Sequence, residues 1–230
     1  MDFFRNRKTP EQVINLLSKA LQELTATEDE RVTAKLREEI AKRVNQAKAF
    51  IYGESDGKDD ASSSGSNHGS GSSDRAKEVA ELARAIMAHE IMPAMLTLLK
   101  RVDFETRKSI ATIFVHVLRY DTAGFASEYM PHHAQLMFQM VDGYSSSDAA
   151  LTCGLMLREC IKVPALEEEL LIGPDGGLSV PLRRLFEEHV FNPSFEVAVD
   201  AFETLTAALT SNKALVFRTF NPEEPASLQQ

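Results

Sequence analysis

Three long amphipathic segments recur along this chain at nearly constant spacing, and that recurrence limits the folds open to it more than any other feature. The first starts at Asp103-Phe104-Glu105 and runs through Ile110, Ile113, Phe114 and Leu118. The second starts at Ser146-Ser147-Asp148 and runs through Leu151, Cys153, Leu157 and Ile161. The third starts at Ser194-Phe195-Glu196 and runs through Ala198, Ala201, Phe202, Leu205 and Leu209. The starts are offset by 43 and 48 residues, near the ~40–47-residue period of armadillo and HEAT repeats. Each long segment follows one or two shorter ones, as in a three-helix armadillo unit. Such units stack to bury a shared core and line a concave binding surface with their last helices. The expected fold is all-α, an armadillo/HEAT-like helical-repeat solenoid.

The flanking sequence is also helical. Thr9-Pro10-Glu11-Gln12 sets a capping threonine before a proline at the first helical position, with glutamine three residues on. Val13, Leu16, Leu17, Ala20, Leu21 and Leu24 then recur at helical spacing. Thr27-Glu28-Asp29-Glu30 reads as a second capping box, opening a helix with the apolar stripe Val32, Leu36, Ile40, Val44, Ala47 and Ile51. Further helical patterns lie near 75–89, 91–101, 103–119, 133–142, 147–162, 165–172, 178–191 and 195–210, and strand signals are scarce. Residues 53–74, GESDGKDDASSSGSNHGSGSSD, offer no apolar face to set against the entropy of ordering. They also lack the ligand register of a calcium loop. The expected division is an N-terminal helical pair at 1–52, a flexible Ser/Gly-rich linker at 53–74, armadillo-like repeats at 75–211 and a C-terminal tail at 212–230.

Composition narrows the function classes. The 230 residues are 43% hydrophobic and carry a net charge of -9, a balance that opposes nucleic-acid binding, since phosphate contacts need clustered Lys and Arg. No apolar run approaches the roughly 20 residues that span a bilayer, and the N-terminus has no apolar signal region, so a cytoplasmic protein is expected. Cys153 and Cys160 would lie about 10 Å apart along one helix, too far for a disulfide, and read as small buried hydrophobes. No metal and no cofactor are expected.

Enzyme signatures are missing: there is no GxGxxG, P-loop, HExxH or GxSxG pattern. Gly173-Pro174-Asp175-Gly176-Gly177 reads as a turn. His132 and His133 diverge by about 100° on a helix, too far to share a metal readily, and read as helix-start or surface residues. Arg158-Glu159 stands within an apolar helix. The favoured reading is an inter-helix salt bridge, and the alternative is a pair facing a binding groove. Phe195 is either a packing contact at its helix start or an aromatic anchor for a partner. Asp200 and Glu203 read as solvated helix face, and Arg107 and Lys108 as a small basic patch. The candidate partner-binding residues are thus Phe195, Glu196, Arg107, Lys108 and Arg158, with no candidate catalyst.

Three segments carry a family resemblance: VDFETRKSIATIFVHVLR at 102–119, DGYSSSDAALTCGLMLRECIK at 142–162 and SFEVAVDAFETLTAALTSNKAL at 194–215. They resemble the mouse protein 25 scaffold family, also called calcium-binding protein 39, with fungal members of the conidiophore-development type. CGLMLREC is the most specific stretch. Weaker similarity covers 10–24 and 76–87. The resemblance implies a non-catalytic armadillo-type scaffold that binds a pseudokinase and binds and activates Ste20-class germinal-centre kinases. It also implies a role in cell polarity, morphogenesis and, in fungi, conidiation. No small-molecule substrate, nucleic acid or membrane is among the implied partners. Nothing in these residues supports calcium binding.

The sequence departs from the family pattern in a longer linker and in its end, FRTFNPEEPASLQQ, where the family continues into further repeats. By this resemblance, about the last third of the scaffold, including the pocket for a short Trp/Phe-containing tail motif, is expected to have no counterpart among these residues. Val216, Phe217 and Phe220 are expected either to fold back as a cap or to expose an apolar patch. The favoured expectation is a scaffold that supports kinases. The alternative is an armadillo-like adaptor that binds proteins without activating kinases. Because residues 55–73 have nothing to bury, deleting them is expected to leave the thermal midpoint almost unchanged. A calorimetric scan showing a large drop would make the linker part of the fold.

Overall fold

A computed structural model describes residues 7–52, 71–174 and 176–221. Among these the architecture is all-α, and the one extended pairing is an isolated bridge between Ile172 and Leu178. The helices are α1 (Pro10–Ala26), α2 (Glu30–Tyr52), α3 (Gly71–Ala88), α4 (Met92–Leu98), α5 (Phe104–Arg119), α6 (Met130–His132), α7 (Gln135–Gly143) and α8 (Ser147–Ile161). They continue with α9 (Pro164–Leu171), α10 (Val180–Glu187), α11 (Phe195–Thr210) and α12 (Lys213–Phe220). The chain forms two compact units. One takes the residues up to Met95 together with Val102–Ala123, and the other takes Leu96–Arg101 together with the chain from Gly124 onward.

Local sequence sets most helix starts. At α1 the Thr9 hydroxyl accepts from the Gln12 amide (3.3 Å) and the Gln12 carboxamide accepts from the Thr9 amide (3.1 Å), the reciprocal box its spacing predicts. At α2 the expected cap moves. Asp29, not Thr27, takes the amides of Arg31 (2.8 Å) and Val32 (3.3 Å), while Thr27 only accepts from the Asp29 amide. A carboxylate beside the first helical residue is the stronger acceptor for helix amides, and its charge suits that end of the dipole. Asp103 caps α5 through the Thr106 amide (3.0 Å) and hydroxyl (2.7 Å), and these bonds hold its carboxyl below the usual carboxylate range.

Other boundaries differ from expectation. α3 begins at Gly71, four residues inside the segment assigned to the linker, with Lys77 pairing Asp74 (3.3 Å) across its first turns. The rest of that linker lies outside the described residues. The pattern at 178–191 splits into α10 and a 3₁₀ turn at His189–Phe191. A π-helical turn at Phe125–Tyr129 leads into α6, preceded by positive φ at Asp121, Ala123 and Gly124, a backbone that helical periodicity does not encode. The segment expected as tail holds α12, started by the Asn212 side chain accepting from the Leu215 amide (3.1 Å). It buries Leu215 and Thr219 and leaves Phe217 and Phe220 exposed.

In the first unit α1, α2 and α3 pack on one another and α5 packs on α2. Ile14 and Leu17 of α1, Ile40 and Val44 of α2, Leu82 and Ile86 of α3, and Ile110 and Phe114 of α5 are buried. Val32, assigned to the α2 stripe, is exposed instead. The α2–α5 seam carries a polar stitch in which Ser109 donates to Asn45 (3.0 Å) and receives Lys48 (3.4 Å).

The second unit shows the repeat directly: α7 packs on α8, α10 on α11, α7 on α10 and α8 on α11. The α8–α11 seam is polar at its centre. Asp200 of α11 is 7% exposed and accepts from the Arg158 guanidinium (2.8 Å) and from the Tyr144 hydroxyl (2.6 Å). Arg158 also donates to Thr204 (2.7 Å), whose hydroxyl bonds that of Tyr144 (2.8 Å). This overturns the assignment of Asp200 to solvated helix face. Its position, three and four residues from Val197 and Thr204, puts it on the buried stripe, where a charge persists only if paired. The favoured inter-helix salt bridge of Arg158 is present, with Asp200 as partner, while Glu159 pairs Lys162 just past the end of its own helix (2.7 Å).

Burial and the neighbouring Asp200 push the Tyr144 phenol up, so Tyr144 stays a donor. For Arg158 burial works against the charge, and the hydrogen bond and attraction of Asp200 outweigh it. Cys153 and Cys160 are free and buried. Burial pushes the Cys153 thiol up to about 12 and raises that of Cys160 as well, so both behave as apolar side chains.

Gly154 lets the two helices meet here: a β-carbon at this position would overlap the Asp200 carboxylate and the Tyr144 hydroxyl. Gly154→Ala is expected to cost about 2 kcal/mol by overpacking, read as a lowered urea midpoint with an unchanged slope. Asp200→Ala, which strands Arg158 and Tyr144, is expected to cost about 2–3 kcal/mol, because part of the Arg158 guanidinium retains solvent. An unfolding free energy within about 0.5 kcal/mol of the parent in both, the range of a neutral surface change, would remove the seam from the determinants of stability.

Candidate protein-docking face

Helix α11 carries two apolar stripes. One, Val197, Ala201, Leu205 and Ala208 with Thr204, is buried and meets the rest of the unit. The other, Phe195, Val199 and Phe202, spaced four and then three residues apart, is exposed. Phe195 is 81% exposed and Phe202 62%. The core stripe holds small residues because α11 lies against α8, α10 and the 3₁₀ turn at once, and close approach leaves no room for a phenylalanine ring. Phe202, expected in the core, is therefore excluded from it. On α8, Leu151 is exposed as well, against expectation, together with Leu155 one turn on.

The exposed stripe of α11 has one charged edge. Glu196 and Glu203, one residue beyond Phe195 and Phe202, are both exposed. Arg158 ends the exposed side of α8 and crosses to Asp200 and Thr204, so its guanidinium is engaged within the fold. Phe195 makes no packing contact that buries it, which removes the staple reading. Of the five candidate residues, Phe195, Glu196 and Arg158 fall on the paired helices α8 and α11. Arg107 and Lys108 fall on α5 in the other unit, where the Arg107 guanidinium donates to the Val102 carbonyl (2.6 Å) and Lys108 is exposed. Phe104, at the first helical position of α5 as Phe195 is of α11, is also exposed.

The residues read as chemically bland are engaged locally. His132 and His133 hydrogen-bond the carbonyls of Glu128 (2.6 Å) and Tyr129 (2.8 Å), and His133 stacks on Tyr129 at 3.9 Å. The glycine-rich segment is a turn closed by the Gly173 amide on the Gly177 carbonyl (2.8 Å), with Gly176 at φ +79, and Asp175 lies outside the described residues. Among the described residues no group of three or more His, Cys, Asp or Glu side chains is placed to hold a metal ion. Among the same residues no helix is long and apolar enough to cross a membrane.

Known proteins are similar to this sequence over nearly its whole length. Calcium-binding protein 39-like of Mus musculus is 28% identical over 216 residues, covering 93% of this chain and 57% of the mouse protein. MO25-like protein 2 of Caenorhabditis elegans is 30% identical over 216 residues, covering 92% of this chain and 57% of the relative. Conidiophore development protein hymA of Emericella nidulans is 25% identical over 241 residues, covering 94% and 58% respectively. The chain thus spans a little over half the length of these relatives. Residues 2–223 match the family described as Mo25-like, and with its all-α stacked-helix structure the chain belongs to that family.

Proposed function

We propose that this chain is a non-catalytic cytoplasmic scaffold that docks protein kinases of the Ste20 class, or a pseudokinase, on the exposed stripe of α11. The observation that carries the reading is the stripe itself. Two phenylalanines and a valine stand in solvent on a well-packed helix, where a soluble fold gains nothing from exposing them. Such an aromatic set, held rigidly by a buried polar seam, is the form of an interface hot spot. Family membership supports the scaffold class. The hymA relative, named for conidiophore development, supports a role in polarity and morphogenesis.

Phe195 is the central contact in this reading, with Glu196 beside it. Arg158 acts by positioning α11, and Arg107 and Lys108 belong to a separate contact on α5. In a titration of a Ste20-class kinase domain, Phe195→Ala is expected to weaken binding about tenfold or more, with helicity and thermal midpoint retained because the side chain is exposed. Unchanged affinity would overturn the docking face, and loss of helicity would return Phe195 to the core. The same titration, read as phosphorylation rate, separates activation from the adaptor alternative: binding without stimulation is the adaptor's result.

A further inference from the structure

His189 lies in the 3₁₀ turn between α10 and α11, is 4% exposed, and has an Nε2 with no hydrogen-bond partner among the described residues. Its ring stacks on that of Tyr144, 5.5 Å between centroids and 27° between planes. The opposite end of Tyr144 is the hydroxyl that binds Asp200 and Thr204. On its other side the turn leads into the start of α11. The His189 carbonyl accepts from the Asn192 amide (3.2 Å), and the Asn192 side chain accepts from the Ser194 amide (2.9 Å), one residue before Phe195. A buried imidazole thus touches α11 by two routes: through the Tyr144 ring to the middle of the helix, and through the backbone to its first turn.

We propose that His189 is a pH-sensitive latch for α11, closed while the imidazole is neutral and released when a proton puts a charge on the buried ring. A proton on Nε2 would meet no acceptor among the described residues, and an uncompensated charge in such a site is costly. The charged groups facing it come from three places. Arg184 and Glu188 belong to α10 and its end, and Asp142 to α7. On the α11 side Asp200 reaches it through Tyr144, whose hydroxyl donates to Asp200 and whose ring stacks on His189. Arg184 opposes the proton, while Glu188 and Asp142 favour it. Both carboxylates are themselves paired to Arg184, which blunts their pull.

The sign follows from these neighbours. Burial, aided by Arg184, lowers the folded His189 below its ordinary value of 6.5. Above that value both folded and unfolded chains carry a neutral ring, and the latch adds no pH dependence. As the pH falls below it, the unfolded chain takes up a proton that the folded chain refuses, so stability is lost. The latch does not depend on the identity of anything bound to α11.

The test compares the full-length chain with His189→Phe, which keeps a flat ring against Tyr144 and cannot titrate. Between pH 7 and 5.5 the parent is expected to lose up to about tenfold more in its folding equilibrium constant than the variant. Coincident pH profiles would overturn the latch. If the variant does not fold, amide hydrogen exchange of the parent decides. After correction for intrinsic rates, protection at residues 189–204 is expected to fall several-fold between these pH values relative to α8. Equal loss in both segments, or none, would overturn the proposal. Neither measurement involves a kinase, so failure of the latch and failure of the docking reading are distinguishable.

Discussion

The α8–α11 seam depends on an ion pair that most of the surrounding core would exclude. Asp200 is almost wholly out of water, and it survives there because Arg158 and Tyr144 satisfy its oxygens and Thr204 completes the ring of donors and acceptors. Such a pair contributes little net stability against an apolar equivalent, since desolvation offsets most of the attraction. What it supplies is direction. The guanidinium and phenol fix α11 in rotation and register on α8, and Gly154 permits the approach that makes their bonds short.

That rotation decides which residues of α11 face water. Both of its stripes are apolar, so hydrophobicity alone could turn the helix either way. With Asp200 held against α8, Ala201, Leu205 and Ala208 must face inward, and Phe195, Val199 and Phe202 must face out. A polar contact thus sets the geometry of an apolar surface. The same seam touches His189 through Tyr144, so the group that fixes the helix and the one that senses a proton share a side chain.

Much of the fold was legible in the sequence because helical periodicity and capping are local. Thr9 with Gln12, the helix start at Asp103 and the regular offset of the long helices rest on spacing within a few residues or on a repeated unit. The π-turn at Phe125–Tyr129, the 3₁₀ turn at His189–Phe191 and helix α12 were not legible. Each is a short element shaped by its neighbours rather than by a periodic pattern of its own. The candidate face was half legible: Phe195 stood out at a helix start, while Phe202 and Leu151 read as core residues. One signal was available in hindsight, since α11 keeps its alanines on one stripe and its phenylalanines on the other.

By itself the sequence determined the all-α class, the repeat, most helix boundaries and the family, since each follows from residues close together in the chain or from segments long enough to match. Only the tertiary structure decided the partner of Arg158, the burial of Asp200 and the exposure of the α11 phenylalanines. Those outcomes join residues 42 to 60 positions apart, and they turn on how closely two helices approach, a property of packing that no local pattern records.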